Sequence, residues 1–113
     1  MKLTFEEAKE ALDARRKRFS APCHESTFTE LFRHGSMEIE IYRPEGEDAK
    51  QPHEQDEIYF IASGSGRFEH EGAVEDVEAG DILFVAAGER HRFVDFDNDF
   101  ATWVVFYGPE GGE

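Results

Sequence analysis

Apolar residues in the first part of the chain recur at helical spacing. Thr4 with Glu7 three places on matches the capping box that begins many helices. Acidic residues occupy the first turn and basic residues the last, as the helix dipole favours. The pattern predicts one helix from residue 4 to about residue 18, within a lead-in of residues 1–25. The apolar stripe of this helix consists of Phe5, Ala8 and Leu12.

From residue 26 onward the period changes to two, which is the period of a β-strand. The strands are short, turn residues separate them, and no helical pattern interrupts them, so the sequence predicts an all-β sandwich or barrel over residues 26–108. A hairpin turn is predicted at His34-Gly35, and residues 109–113 are predicted to be a frayed tail. The predicted strands cover residues 27–33, 36–43, 57–61, 67–70, 73–77, 82–86, 91–96 and 101–107.

The stretch from Gln51 to Gly64 is the part of the sequence around which the rest is arranged. Alternation within a strand places Glu57, Tyr59 and Ile61 on one face, and it turns Ile58 and Phe60 toward the other. The stretch is too apolar on both faces for a surface loop. We expect it to form a wall of a closed β structure that contains a polar site.

Composition limits the possible partners. The chain has 113 residues, enough for one domain, and a net charge of −14, with 26 acidic against 12 basic residues. Such a charge would repel phosphate, so we expect neither nucleic acid nor an anionic membrane as a partner. The sequence contains no long apolar run, and Cys23 is its single cysteine. We therefore expect no membrane span and no internal disulfide, and a cytoplasmic location.

Four polar residues are the candidate metal ligands. Imidazole nitrogen and carboxylate oxygen are ligands that divalent first-row metals favour, and two histidines with one carboxylate leave coordination positions open. An amide could add a weak fourth oxygen or lie outside the ligand set. In the alternative interpretation, the histidines are hydrogen-bonded inside the barrel without a metal. The four residues are Gln51, His53, Glu57 and His91.

The spacing of these residues resembles the two motifs of the cupin superfamily. In the first motif, Gln51 stands where the family has a histidine; in the second, Ala86 and Asp95 stand for a proline and an asparagine. The resemblance implies a double-stranded β-helix (jelly-roll) barrel that holds one divalent transition metal. The first motif corresponds to Gly46, Gln51, His53, Glu57 and Gly64, and the second to Gly80, Ala86, Gly88, His91 and Asp95.

The resemblance also implies a range of activities on this barrel. A metal-dependent enzyme of dioxygenase, isomerase or lyase type would act on a small molecule, and a divalent ion beside one carboxylate suits an anionic or oxygen-chelating substrate. Tyr59 and Glu57 are the candidate catalytic residues. Arg43, Phe93 and Trp103 are predicted to line the pocket with Tyr59. The alternatives are a non-catalytic protein that binds a metal or small ligand for sensing or storage, and a metal-free structural barrel.

A homodimer is the expected assembly. Small single-domain cupins resemble one another in pairing through strands near the N-terminus. In this sequence Phe28 and Phe32 make the first predicted strand apolar on more than one side, and such a strand tends to be covered.

Overall fold

In the computed structural model, which describes residues 1–48 and 52–113, one α-helix and a short 3₁₀ turn precede a series of β-strands. No helix in these two ranges has the length and apolarity required to cross a lipid bilayer. The all-β class with a single N-terminal helix is confirmed. The elements are α1 (Phe5–Arg16), the turn His24–Ser26, β1 (Phe28–His34), β2 (Met37–Tyr42), β3 (Asp56–Ser63), β4 (Ser65–His70), β5 (Ala73–Glu78), β6 (Ile82–Val85), β7 (His91–Val94) and β8 (Ala101–Tyr107).

The described strands form two antiparallel sheets. One has the order β1-β2-β8-β3-β6 and the other the order β5-β4-β7. Apolar side chains from both sheets form a shared core, so the architecture is the jelly-roll sandwich that the sequence predicts. The larger members of this core are Tyr42, Tyr59, Phe68, Phe93, Phe100 and Phe106.

Helix α1 covers part of the outer face of the five-stranded sheet. Its start is capped as predicted, because the Glu7 amide donates to Thr4 Oγ1 at 3.1 Å. Leu12 is fully buried and belongs, with Ile41 of β2, to a second apolar cluster on this outer side. The sheet is therefore apolar on both faces, and only one of the two faces encloses the interior.

The two faces of strand β2 have different surroundings, one toward the interior and the other toward α1. Its turn lies at residues 35–36, one residue later than predicted. Ile41 packs toward α1, whereas Tyr42 is in the interior core. Because side chains alternate, Glu38 and Glu40 share the face of Tyr42. Glu38 pairs with Phe106 of β8, and Phe106 in turn pairs with Glu57 of β3.

The C-terminal residues make hydrogen bonds to residues 54 and 56, and the frayed tail over residues 109–113 stays a prediction. The Gly111 amide donates to the Glu54 carbonyl at 2.7 Å, and the Glu113 amide donates to Asp56 Oδ2 at 3.1 Å. The second carboxylate oxygen of Asp56 accepts the Ala87 amide at 2.9 Å. Asp56 thus ties the tail to the loop after β6, through contacts that are remote in sequence.

Candidate functional site

Glu57 and His91 meet where the two sheets face each other. Glu57 is near the start of β3 in the larger sheet, and His91 is the first residue of β7 in the smaller one. Glu57 Oε1 lies 2.6 Å from His91 Nε2, and each side chain is 1% exposed. Two hydrogen-bond acceptors without a proton would repel at this distance. The two groups form an ion pair when the imidazole is protonated.

Tyr59 completes a group of three polar side chains. It lies two residues after Glu57 on the same face of β3, and its hydroxyl is 3.0 Å from His91 Nε2. Burial, and then the negative charges of Glu57 and Asp48, raise the pKa of Tyr59 well above its ordinary value. Tyr59 therefore stays protonated and acts as a hydrogen-bond donor inside the sandwich.

The loop before β7 fixes the orientation of the His91 ring. His91 Nδ1 donates to the Glu89 carbonyl at 2.9 Å, which turns Nε2 inward. The Glu89 carboxylate holds this loop, since it accepts the Ala86 amide at 2.8 Å and lies 3.0 Å from His70 Nε2. The hydrogen bond with His70, followed by that from Ala86, lowers the pKa of Glu89.

Phe93, predicted to line the pocket, lies in the interior core beside Tyr59. It is buried on β7, and its ring lies 5.0 Å from that of Tyr59, at nearly a right angle. Phe68 and Phe100 extend this wall at ring distances of 5.0 and 4.8 Å from Phe93. Edge-to-face packing of this kind holds the Tyr59 ring in place.

Two predicted pocket residues lie elsewhere. Trp103 pairs with Ile41 and packs on the outer side, with its ring 6.4 Å from that of Phe5, so its placement in the pocket wall is wrong. The Arg43 guanidinium donates to the Asn98 carbonyl at 3.1 Å at an exposed position, instead of reaching the interior. In both cases, strand alternation turns the side chain away from the face that carries Glu57.

His53 lies at one end of the sandwich and is half-buried. Its ring centroid is 4.0 Å from that of Phe106, and its carbonyl accepts the Gly88 amide at 2.8 Å. It lines a shallow groove of about 500 Å³. Gln51, the other ligand predicted from the first motif, lies outside the described residues. The rest of the groove is formed by Pro52, Glu54, Ala87, Gly88, Glu110 and Gly111.

The arrangement of the described residues does not match a three-ligand metal site. Within residues 1–48 and 52–113, no three His, Cys, Asp or Glu side chains converge closely enough to hold one ion. Glu57 and His91 are brought together, but His53 does not join them in such a group.

Asp48 is an interior residue that sequence reasoning missed. It lies in the connection from β2 to β3, yet it is only 6% exposed. Its Oδ1 accepts the hydroxyl of Tyr42, and its Oδ2 accepts the Phe93 amide at 2.8 Å. Burial, followed by the charge of Asp48, raises the pKa of Tyr42. Alternation along β2 could have indicated Tyr42, but no local pattern marks a loop aspartate as buried.

Known proteins share this fold and parts of this sequence. Residues 38–107 match the family model described as Cupin domain. An uncharacterised protein of Streptomyces coelicolor is 29% identical over 89 residues, which make up 77% of this chain and 85% of that protein.

Two solved structures give the same picture. A protein of Ralstonia eutropha, suggested to be a mannose-6-phosphate isomerase, is 27% identical with a TM-score of 0.64, over 73% of this chain and 83% of that one. A cupin 2 conserved barrel domain protein of Salinispora arenicola is 20% identical with a TM-score of 0.61, over 72% of this chain and 74% of that one. Since the family model matches more than half of the sequence, the chain belongs to the cupin family.

Proposed function

We propose that the protein is a small-molecule enzyme in which Glu57, His91 and Tyr59 move a proton to or from a substrate bound between the two sheets. The observation that carries this is the 2.6 Å contact between Glu57 Oε1 and His91 Nε2, with both side chains 1% exposed. A carboxylate and an imidazole in contact inside a protein can pass a proton between themselves and a substrate with little rearrangement.

Tyr59 has a distinct role in this chemistry. When a proton leaves a carbon next to a carbonyl group, negative charge develops on the carbonyl oxygen. A hydroxyl that is held protonated and fixed in position stabilises that charge. The Tyr59 hydroxyl, 3.0 Å from His91 Nε2, is close enough to the pair to act on the same substrate.

Isomerisation and lyase-type elimination are the favoured reaction classes. Both begin with removal of a proton from carbon, a step suited to an inward-facing carboxylate, imidazole and hydroxyl. The Ralstonia eutropha relative, suggested to be an isomerase, belongs to the first of these classes. None of these steps passes through a metal ion, although the sequence predicts one.

Access to the pair is proposed to run through the groove beside His53. The His53 ring lies against Phe106, and Phe106 is the direct cross-strand neighbour of Glu57. Movement of one imidazole ring would therefore open a path from the groove toward the carboxylate.

A non-catalytic small-ligand binding protein is the second candidate, favoured by the near-complete burial of the Glu57, Tyr59 and His91 side chains.

We also propose that the protein is a homodimer. Two surfaces of the chain are candidates for the dimer interface. The predicted surface is β1, an outer strand of the larger sheet that carries Phe28 and Phe32. Three apolar side chains at the opposite edge are more than a third exposed. Phe60 of β3 pairs with Ile82 of β6, Phe84 lies two residues further along β6, and a contiguous apolar surface of this kind is typical of an interface. These side chains are Phe60, Ile82 and Phe84.

Solvent-deuterium incorporation tests the proton-transfer role. Small 1,3-diketones and 2-oxo acids are incubated with the protein in D₂O, and loss of the C–H signal is followed by proton NMR, before and after treatment with EDTA. We expect exchange to persist after chelation and to fall at least about tenfold in Glu57→Gln. Glu69→Gln is the matched control, since Glu69 is an exposed carboxylate paired with Arg92. Equal exchange by wild type and Glu57→Gln would contradict the proposal.

A further inference from the structure

The interior contains a receptor for a carboxylate group, built from strand residues and filled by the side chain of Asp48. The Tyr42 hydroxyl donates to one carboxylate oxygen, and the Phe93 backbone amide donates to the other at 2.8 Å. Tyr42 belongs to the five-stranded sheet and Phe93 to the three-stranded sheet. The two donors are therefore fixed independently, on opposite walls of the sandwich.

Burying a carboxylate is costly unless hydrogen bonds replace its water. Asp48 is 6% exposed, so the two donors hold a group that would otherwise remain in water. A side chain from an irregular connection thus occupies a position shaped for an anion. The position needs the carboxylate group itself, and nothing in its two hydrogen bonds requires that the group belong to Asp48.

The receptor adjoins the proton-transfer group. The Phe93 ring, on the residue whose amide binds Asp48, lies 5.0 Å from the Tyr59 ring. Tyr59 is in turn 3.0 Å from His91 Nε2. A small molecule whose carboxylate took the place of that of Asp48 would lie in the part of the interior that Tyr59 shares, since the charge of Asp48 contributes to the raised pKa of Tyr59.

The two parts of the receptor differ in how easily they can move. Tyr42 and Phe93 are buried in strands, and both belong to the interior core. Asp48 ends a described segment, residues 43–48, that contains no helix or strand. It can leave the receptor without breaking a strand pairing, whereas the donors remain where they are.

We propose that the substrate or ligand of this protein carries a carboxylate, which binds the Tyr42 hydroxyl and the Phe93 amide in exchange for Asp48. This rests on the proposed function for the reaction that follows, but the binding step itself needs no turnover. Asp48 then serves as an internal competitor that keeps the receptor filled when no ligand is present.

Asp48→Ala with acetate as the probe tests the receptor directly. The Phe93 amide resonance in a ¹⁵N–¹H spectrum is expected to shift on loss of the Asp48 carboxylate and to return toward its wild-type position as acetate is added. We expect acetate to bind Asp48→Ala at least about tenfold more tightly than wild type, since the competitor is gone, while acetamide, a neutral analogue of the same size, shows no such gain.

The double variant Asp48→Ala, Tyr42→Phe identifies the donor, because it should bind acetate about tenfold more weakly than Asp48→Ala alone. Should Asp48→Ala fail to fold, Asp48→Asn keeps the shape and removes the charge, and it too should bind acetate more tightly than wild type does.

The receptor proposal is overturned if the folded Asp48 variant binds acetate no more tightly than wild type does. It is also overturned if that variant binds acetate no more tightly than it binds acetamide. Failure of the proton-transfer proposal appears separately, as unchanged deuterium exchange in Glu57→Gln.

Discussion

Glu57 on β3 and His91 on β7 are 34 positions apart in the sequence, yet Oε1 of one lies 2.6 Å from Nε2 of the other. Each residue belongs to a different sheet, so the contact joins the two layers of the sandwich. This contact links the stability of the fold to the chemistry proposed for its interior.

Removal of the Glu57 carboxylate should destabilise the protein strongly. Glu57→Ala leaves the buried His91 without this partner and opens a cavity, and breaking a buried pair of this kind costs about 3 kcal/mol or more. Urea unfolding at neutral pH measures the loss. Glu69→Ala removes a carboxylate of comparable geometry, 2.6 Å from Arg92 but exposed, and should change the free energy of unfolding little. Similar losses in the two variants would contradict the role of burial.

Stability should fall in alkaline solution because of the two buried tyrosines. The folded-state pKa values of Tyr42 and Tyr59 are raised, chiefly by burial, above the ordinary value of about 10 that applies to the unfolded chain. Their stabilisation is complete below pH ~10, and it is lost as the pH rises toward the folded-state pKa, by about 1.4 kcal/mol per pH unit for each group.

Denaturant unfolding between pH 9 and pH 12 measures this slope. Tyr59→Phe and Tyr42→Phe should each flatten it, and the double variant should flatten it further. A slope in Tyr59→Phe identical to that of the wild type would show that this hydroxyl does not titrate with unfolding.

Local alternation was sufficient to predict the half of the site that lies on one strand. Glu57, Tyr59 and Ile61 share the inward face of β3 as expected, because period two is a property of the strand itself. Alternation does not say which face of a sheet is inward when both are apolar. That ambiguity explains Trp103, which faces α1 and not the interior.

Other features of the structure depend on contacts that no local pattern encodes. Asp48 is buried because two distant strands supply hydrogen-bond donors to its carboxylate. The tail is held because the Asp56 carboxylate accepts hydrogen bonds from the amides of residues 87 and 113. The cupin fold itself was predictable, since motif spacing carries information about two remote segments at once. Partners and cellular location, predicted from net charge and a single cysteine, stay predictions.

Metal content tests the ligand set implied by the cupin motifs. Glu57 and His91 are in contact, but no three His, Cys, Asp or Glu side chains converge on one point within residues 1–48 and 52–113. Dialysis against EDTA should therefore leave the thermal unfolding midpoint nearly unchanged, because no bound ion is lost from the folded state. Elemental analysis before and after dialysis provides the measurement. The ligands predicted from sequence would be favoured by two results together. A stoichiometric metal would be found whose removal lowers the midpoint, and the same metal would be missing from His53→Ala.

Light scattering tests the homodimer and its surface. At micromolar concentration we expect a mass of twice the 12.9 kDa chain. Phe84→Glu places a charge on the apolar surface of β3 and β6, whereas Phe32→Glu places one on β1, where the sequence predicts the interface. Dissociation by one substitution and not by the other identifies the edge that is buried. A monomer in the wild type would remove the dimer altogether.

The most direct test of the central claim is the protonation of the His91 ring in protein labelled with ¹⁵N-histidine. The account predicts that Nδ1 carries a proton donated to the Glu89 carbonyl, and that Nε2 has the shift of a nitrogen sharing a proton, which moves when Glu57 is replaced by Gln. An Nε2 shift that is the same in wild type and Glu57→Gln would contradict a proton held between these two residues.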